Sequence, residues 1–295
     1  MTDFVLSCGS TADVTAEQIR ERNIDCISFY YTVNGTEYAD DLGQSLGYEE
    51  FYDMLKVGAD TKTVQLNVYQ YCEHFRPILA SGKDILHISM SSGITGTNNP
   101  LRIAMSMLKE EFPERKLYIV DSLGASGGYA LIMETLADLR DQGMSMDELY
   151  EWIENNKLRM HHWFFSTDLS YYVKGGRITK TEGFIGSMLN ICPLCNMDRE
   201  GHLVPREKIR TKKRVIREIE QRMEQFAEDG LNYSGKCFLS HAGCYEDARA
   251  VADIIEERFP HLNGKVTIHS IGPTVGSHTG PYTVALFFWG SERVD

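Results

Sequence analysis

The sequence predicts an α/β protein of two domains, and three observations carry that prediction. Through the first half, short β-branched or apolar runs alternate with helical patterns, the rhythm of a mostly parallel sheet covered by helices on both faces. Beyond about residue 158 the pattern changes to repeated short strands with turns between them, which predicts a mixed or antiparallel α/β domain with helices on one face. The 295 residues suffice for one large or two ordinary domains, and 42% hydrophobic with 24% charged residues is ordinary for a globular chain. With no internal repeat and no long linker, the two units, residues 1–158 and 159–295, are expected to pack together.

In order, Phe4 to Leu6 starts the first sheet and a polar loop, Ser7 to Asp13, follows it. Thr15 and Gln18 have capping-box spacing ahead of a helix toward Arg22. Ile24 to Val33, rich in β-branched and aromatic residues, reads as one strand closed by an Asn34-Gly35 turn. Helical spacing covers 49–56 and 69–79, then comes a strand over 85–89, a helix over 98–111 and a strand over 117–120. Helices over 128–142 and 146–156 close the unit. In the second half, strands are predicted over 163–166, 189–197, 203–205, 236–240, 265–270 and 283–288, with helices over 212–227 and 246–258.

Lysine and arginine total 30 against 42 acids, a formal charge of −12, which makes a poor general binder of DNA or anionic membrane. No run approaches eighteen apolar residues, and MTDFVLSCGS lacks a basic region, so neither a membrane span nor a secretory signal is expected. Seven scattered cysteines suit a reducing cytoplasm. The close pair Cys192-Pro-Leu-Cys195 lacks the second pair of a structural zinc site and lies in an apolar run, so it reads as buried structural cysteine and no metal site is predicted.

The most informative stretch is Ile85 to Thr97, ILHISMSSGITGT, an apolar run ending in a loop of hydroxyls and glycines before a helix. Loops at Cys8–Thr11, Ser91–Gly93 and Asp121–Ser122 all follow predicted parallel strands, so they should converge at one sheet edge. Their N–H groups and hydroxyls suit an anion, phosphate or carboxylate. Neither GxxxxGK[ST] nor GxGxxG is present, so a nucleotide site has no support. In the second half, Lys174-Gly175-Gly176-Arg177-Ile178 combines a close backbone turn with a guanidinium fork, and Gly276, Gly280 and Pro281 bracket His278. Ser91 or Ser92 with His278 also raises a small-molecule hydrolase or an acyl or phosphoryl transferase, although no GxSxG elbow occurs.

Taken together these pieces resemble one family, the DegV proteins, bacterial fatty-acid-binding proteins. The matching segments are Ser10-Thr11-Ala12-Asp13, Lys62-Thr63-Val64-Gln65, Ser91 through Thr97, Val120-Asp121-Ser122, Lys174 through Ile178, residues 185–194 and Ile271 through Pro281. They span nearly the whole chain in the family's order. The resemblance implies one long-chain fatty acid held between the domains, no other cofactor and no chemistry of the chain's own. Thr63, Ser91, Ser92, Gly93, Arg177 and His278 match carboxylate-binding positions, with Asp40 a further polar position near the head. Met188, Leu189, Ile191 and Leu194 are acyl-tunnel candidates. The chain departs from the pattern at Gly9, usually aspartate, and at Val64 and Leu66, usually serine and proline. The resemblance extends to FakB, which presents its acyl chain to a partner kinase. The basic stretch Arg206, Lys208, Arg210, Lys212, Lys213, Arg214 and Arg217 is the predicted docking surface for that fatty-acid kinase.

Overall fold

A computed structural model describes residues 4–179 and 191–294. The first half runs β1 (Phe4–Gly9), α1 (Ala16–Glu21), β2 (Ile24–Ile27), β3 (Tyr30–Val33), β4 (Thr36–Ala39), α2 (Tyr48–Lys56), β5 (Thr61–Val64), α3 (Val68–Ala80), β6 (Asp84–Ser89), α4 (Asn98–Glu111), β7 (Leu117–Asp121), α5 (Ser126–Asp141) and α6 (Met146–Asn156). The second runs β8 (Met160–Ser166), α7 (Ser170–Lys174), β9 (Ile191–Met197), β10 (Leu203–Arg210), α8 (Lys212–Phe226), β11 (Phe238–His241), α9 (Tyr245–Arg258), β12 (Thr267–Ser270), α10 (Pro273–Thr279) and β13 (Thr283–Trp289).

Strands β2-β1-β6-β7 form a parallel sheet. Its side chains alternate between two cores: Ile85 packs with Phe75 and Leu101 of α3 and α4, whereas Leu86 and Ile88 pack with Tyr129 and Leu149 of α5 and α6. Burial on both faces is why these strands read as unbroken apolar runs. The Thr15–Gln18 capping box forms as the spacing predicts, with reciprocal bonds of 3.1 and 2.9 Å.

The single strand expected over residues 24–33 is corrected. It breaks at Ser28-Phe29, and β3 leaves the parallel sheet for an antiparallel one ordered β4-β3-β5. Phe29 makes its backbone bonds away from β1: its N–H donates to Ser10 Oγ at 3.1 Å and its carbonyl accepts from the Asp40 N–H at 2.8 Å. Both sheets draw on the same β-branched and aromatic residues, so the sequence carries no mark of the change. The Asn34-Gly35 turn appears as predicted, with φ of 49° and 86°.

The second half is built on a sheet ordered β10-β9-β8-β13-β11-β12, antiparallel except for the β11–β12 pair. One face carries Trp163, Phe165 and Leu194 against Val215, Ile219 and Val251 of α8 and α9. The opposite face carries Phe164, Cys195, Ala285 and Phe287, which share a core with α5 of the first half. Cys192 and Cys195 are both buried, three apart on one strand and therefore on opposite faces, so they do not pair. Among the described residues no cluster of three or more potential metal ligands occurs, and no helix is long and apolar enough to cross a membrane.

Helix α5 touches the sheet through glycine. A Cβ on Gly127 would fall 2.6 Å from Ser240 Oγ, and one on Gly128 2.3 Å from His162 Nε2. His162 is buried and held by its Met160 carbonyl contact at 3.2 Å and the Ala125 N–H at 3.3 Å, so it has no room to withdraw. Gly128→Ala should therefore lower stability by about 1–3 kcal/mol despite alanine's higher helix propensity, a sign that equilibrium urea unfolding will report.

Candidate functional site

The loops at the carboxyl edge of the parallel sheet face the inner side of the mixed sheet, and between them lies a cavity of about 310 Å³. Phe164, Ala285 and Phe287 from the mixed sheet, with Phe29, Met90 and Ile94 from the first half, make most of its wall apolar. A volume of this size with an apolar wall and a few convergent polar groups is the usual form of a small-molecule site.

Thr63, Arg177 and His278, far apart in sequence, supply convergent polar groups. Thr63 Oγ1 lies 2.9 Å from His278 Nε2, joining β5 to the end of α10. Arg177 Nε donates to the Ile94 carbonyl at 3.1 Å, and its Nη1 donates to the Gly175 carbonyl. His278 Nδ1 has no hydrogen-bond partner among the described residues, and it lies so near the Gly175 backbone that a Cβ there would be 2.4 Å away. Burial, helped by the Arg177 charge, pushes the His278 imidazole down to about 4, so it is neutral at pH 7. Burial also lowers Arg177, yet a guanidinium stays protonated, and it supplies the site's positive charge.

The other predicted positions go elsewhere. Ser91, Ser92 and Gly93 are absent from the described lining of the cavity. Ser91 Oγ donates to the Gly201 carbonyl at 2.9 Å and accepts from the Gly93 N–H at 3.1 Å. A Cβ on Gly93 would meet the Glu200 carbonyl oxygen at 2.6 Å, so this glycine lets the loop seat against the β9–β10 turn. The anion held by the loop is the chain's own Asp121, which accepts from the N–H groups of Ser92 at 3.2 Å and Leu123 at 3.0 Å. The loop reaches the cavity further on, through Thr95, Gly96 and Thr97. Thr95 Oγ1, which accepts from the Thr97 N–H at 3.3 Å, is a lining hydroxyl in that stretch that the sequence candidates do not include.

Asp40 is likewise behind the lining: it is 2% exposed, and its Oδ2 accepts from the Thr274 N–H at 3.3 Å. Of the tunnel candidates, Leu194 is buried on the far face of the mixed sheet, Ile191 is half-buried and outside the lining, and Met188 and Leu189 fall outside the described residues. In the basic stretch, Arg206 bonds Asn196, Lys212 pairs with Asp247 at 2.8 Å and Arg214 with Glu218 at 3.1 Å. Arg210 and Lys213 are exposed where β10 turns into α8. Neither Ser91 nor Ser92 is paired with His278 among the described residues: the partner of His278 Nε2 is Thr63 and that of the Ser91 hydroxyl is a backbone carbonyl.

A parallel sheet and a mixed sheet with their helices enclose one apolar cavity, lined by Thr63, Arg177 and His278, which defines a class of α/β proteins built around an internal site. The chain belongs to the DegV family, whose sequence model it matches over residues 6–290. It is 32% identical over 293 residues to a DegV domain-containing protein of Clostridium perfringens, covering 99% of both chains. With a second, from Lactococcus lactis, it shares 31% over 287 residues and 96% of both. Among solved structures it shares its fold with a DegV lipid-binding protein of Thermotoga maritima, with a TM-score of 0.82, 23% identity and coverage of 99% and 100% of the two chains. It does so equally with the Streptococcus pneumoniae fatty acid kinase B3 protein loaded with linoleic acid, with a TM-score of 0.83, 20% identity and the same coverage.

A neutral, buried imidazole sets a sign for acid lability. The unfolded histidine takes a proton near pH 6.5 and the folded one only near 4, so His278 withdraws stability as pH falls through that interval. An NMR titration of the ring should give a midpoint near 4; a midpoint above 6 contradicts this burial.

Proposed function

We propose that this protein is a cytoplasmic carrier that binds one long-chain fatty acid between the units 1–158 and 159–295 and presents the carboxylate to a fatty-acid kinase for phosphorylation. The observation that carries the proposal is the apolar cavity with Thr63, Arg177 and His278 among its polar groups. An ionised carboxylate is costly to bury unless donors satisfy it; the Arg177 guanidinium and the one proton that the neutral Thr63–His278 pair leaves free, on the hydroxyl or on Nδ1, are suited to that task. Each buried methylene is worth about 0.8 kcal/mol, so a tail of roughly fifteen contributes on the order of 12 kcal/mol before ordering costs. The tail supplies affinity and the head supplies orientation. We assign the loop's hydroxyl contribution to Thr95, because Ser91 is already committed to Gly201.

The similar solved proteins support this ligand class, since one is described as lipid-binding and another was solved with linoleic acid. The name of the second, a fatty acid kinase B protein, supports the kinase as partner. We place its docking surface at Arg206, Arg210, Lys212 and Lys213, a basic strip on a chain of charge −12. A hydrolase or transferase using Ser91 or Ser92 with His278 has no such pair among the described residues to support it.

Native mass spectrometry followed by lipid extraction should find one fatty acid per chain. Arg177→Gln and Thr63→Val should each weaken retention, by roughly tenfold to a hundredfold for the charged group. A chain that is empty as purified and takes up no added oleate overturns the carrier reading. Charge reversal at Arg210 and Lys213 should weaken the kinase complex most at low salt. Equal affinity of the reversed and native chains at low ionic strength removes the docking surface.

A further inference from the structure

The cavity's Thr63–His278 contact depends on a helix whose own sequence does not favour one. Helix α10 is PTVGSHT, seven residues with a glycine and three β-branched side chains. It is held at its start by the first half of the chain. The Gly272 N–H donates to Asp13 Oδ1 at 2.8 Å and the Thr274 N–H to Asp40 Oδ2 at 3.3 Å. Asp13 comes from the turn after β1 and Asp40 follows β4; they are 4% and 2% exposed, and neither is in the described lining. The second oxygen of Asp13 is hydrogen-bonded to the Ser126 hydroxyl at the head of α5, and Ser126 does line the cavity. Gly272 sits between the two acids: a Cβ there would fall 2.9 Å from Asp13 Oδ1 and 3.4 Å from Asp40 Oδ1.

We propose that Asp13 and Asp40 are positioning residues for the ligand cavity, acting as a pair to seat the first turn of α10 and so to fix His278 against Thr63. Two carboxyls this close and this deep do not both ionise freely. Burial, with the charge of Asp40 adding to it and the bonds from Ser126 and Gly272 opposing it, pushes Asp13 up to about 8. Burial likewise pushes Asp40 up to about 6 against the bonds from Thr274. The other titratable groups facing the pair are Asp41 and the phenols of Tyr31, Tyr48 and Tyr52, which are acidic or neutral. At pH 7 Asp13 is therefore largely protonated, with Oδ1 accepting from the Gly272 N–H and Oδ2 from the Ser126 hydroxyl. Losing that proton sets a second negative charge beside Asp40 and loosens the seat of α10. The folded carboxyl binds a proton that the unfolded one has released, so this group's contribution to stability falls from about pH 4 to about pH 8 and is level above.

The test reads His278 without ligand and then with it. In the delipidated wild-type chain, the His278 ring resonances should shift with a midpoint near pH 8, far from the ring's own titration near 4. Asp13→Asn, which keeps an acceptor for Gly272 and cannot ionise, should abolish that step. Asp40→Asn should move it to lower pH by removing the like charge, and it serves if the first variant does not fold. Retention of oleate, which rests on the fatty-acid reading, should fall about tenfold between pH 7 and 9.5 in the wild type and stay flat in Asp13→Asn. No step in the wild type, or the same step in Asp13→Asn, overturns the positioning role. A chain that holds no oleate at any pH defeats the fatty-acid reading alone, because the ligand-free His278 step still decides the rest.

Discussion

The rest of the structure depends on the burial of one helix, α5, between the two sheets. Ser126 to Met133, together with Leu136, Ala137 and Arg140, are buried along its length. On one side the Tyr129 hydroxyl donates to the Ile88 carbonyl and accepts from the Gly9 N–H at 3.0 Å, tying the helix to two strands of the parallel sheet. On the other, Gly127 and Gly128 bring its backbone against β11, β13 and His162 of β8. Its first two turns, Ser126–Met133, carry no charged side chain and are buried all round, so they lie between two layers. Its burial makes one continuous core from two sheets that the sequence arranges one after the other. The cavity opens where α5 begins, at Ala125 and Ser126, because there the two layers are no longer filled by its side chains.

Once the sheets are fixed in this way, burial decides the charges. His87, His161, His162 and His269 are all held in the neutral form, as His278 is, because each has been taken out of water. Arg177 stands apart because a guanidinium keeps its proton under the same conditions. The Thr–His–Arg cluster therefore combines one lasting positive charge with neutral hydrogen-bonding groups, a combination that favours a single carboxylate over a multiply charged phosphate. The strand-end loops, whose N–H groups suit either anion, do not make that distinction. At Ser92 and Leu123 those groups are occupied by Asp121, an anion from the same sheet.

Much of the architecture was legible because its signals are local. The capping box at Thr15, the apolar periodicity of α4 and α6 and the Asn34-Gly35 turn each depend on a few neighbouring residues, and each formed as predicted. The departures are all matters of tertiary context. Residues 24–33 look like one strand because changing sheets leaves hydrophobicity unaltered. Helix α10 is hard to see because it is only seven residues long and the side chains that bond its first turn, Asp13 and Asp40, come from far away in the sequence. Asp40, a candidate polar position on the sequence alone, lies outside the described lining of the cavity.

The serine loop shows why a motif can mark a place without naming its working residue. Ser91, Ser92 and Gly93 offer hydroxyls and backbone freedom that suit an anion, yet the Ser91 hydroxyl and the freedom of Gly93 go to joining the two halves. The Ser91 hydroxyl reaches Gly201, and Gly93 gives the β9–β10 turn the room a side chain would take. That joint is what turns the following residues, Thr95 to Thr97, toward the cavity. A small residue is demanded at the joint and a hydroxyl beyond it, and a sequence shows both demands as one run of serine, glycine and threonine. Only packing separates them, since it depends on which backbone from the other half comes within 3 Å.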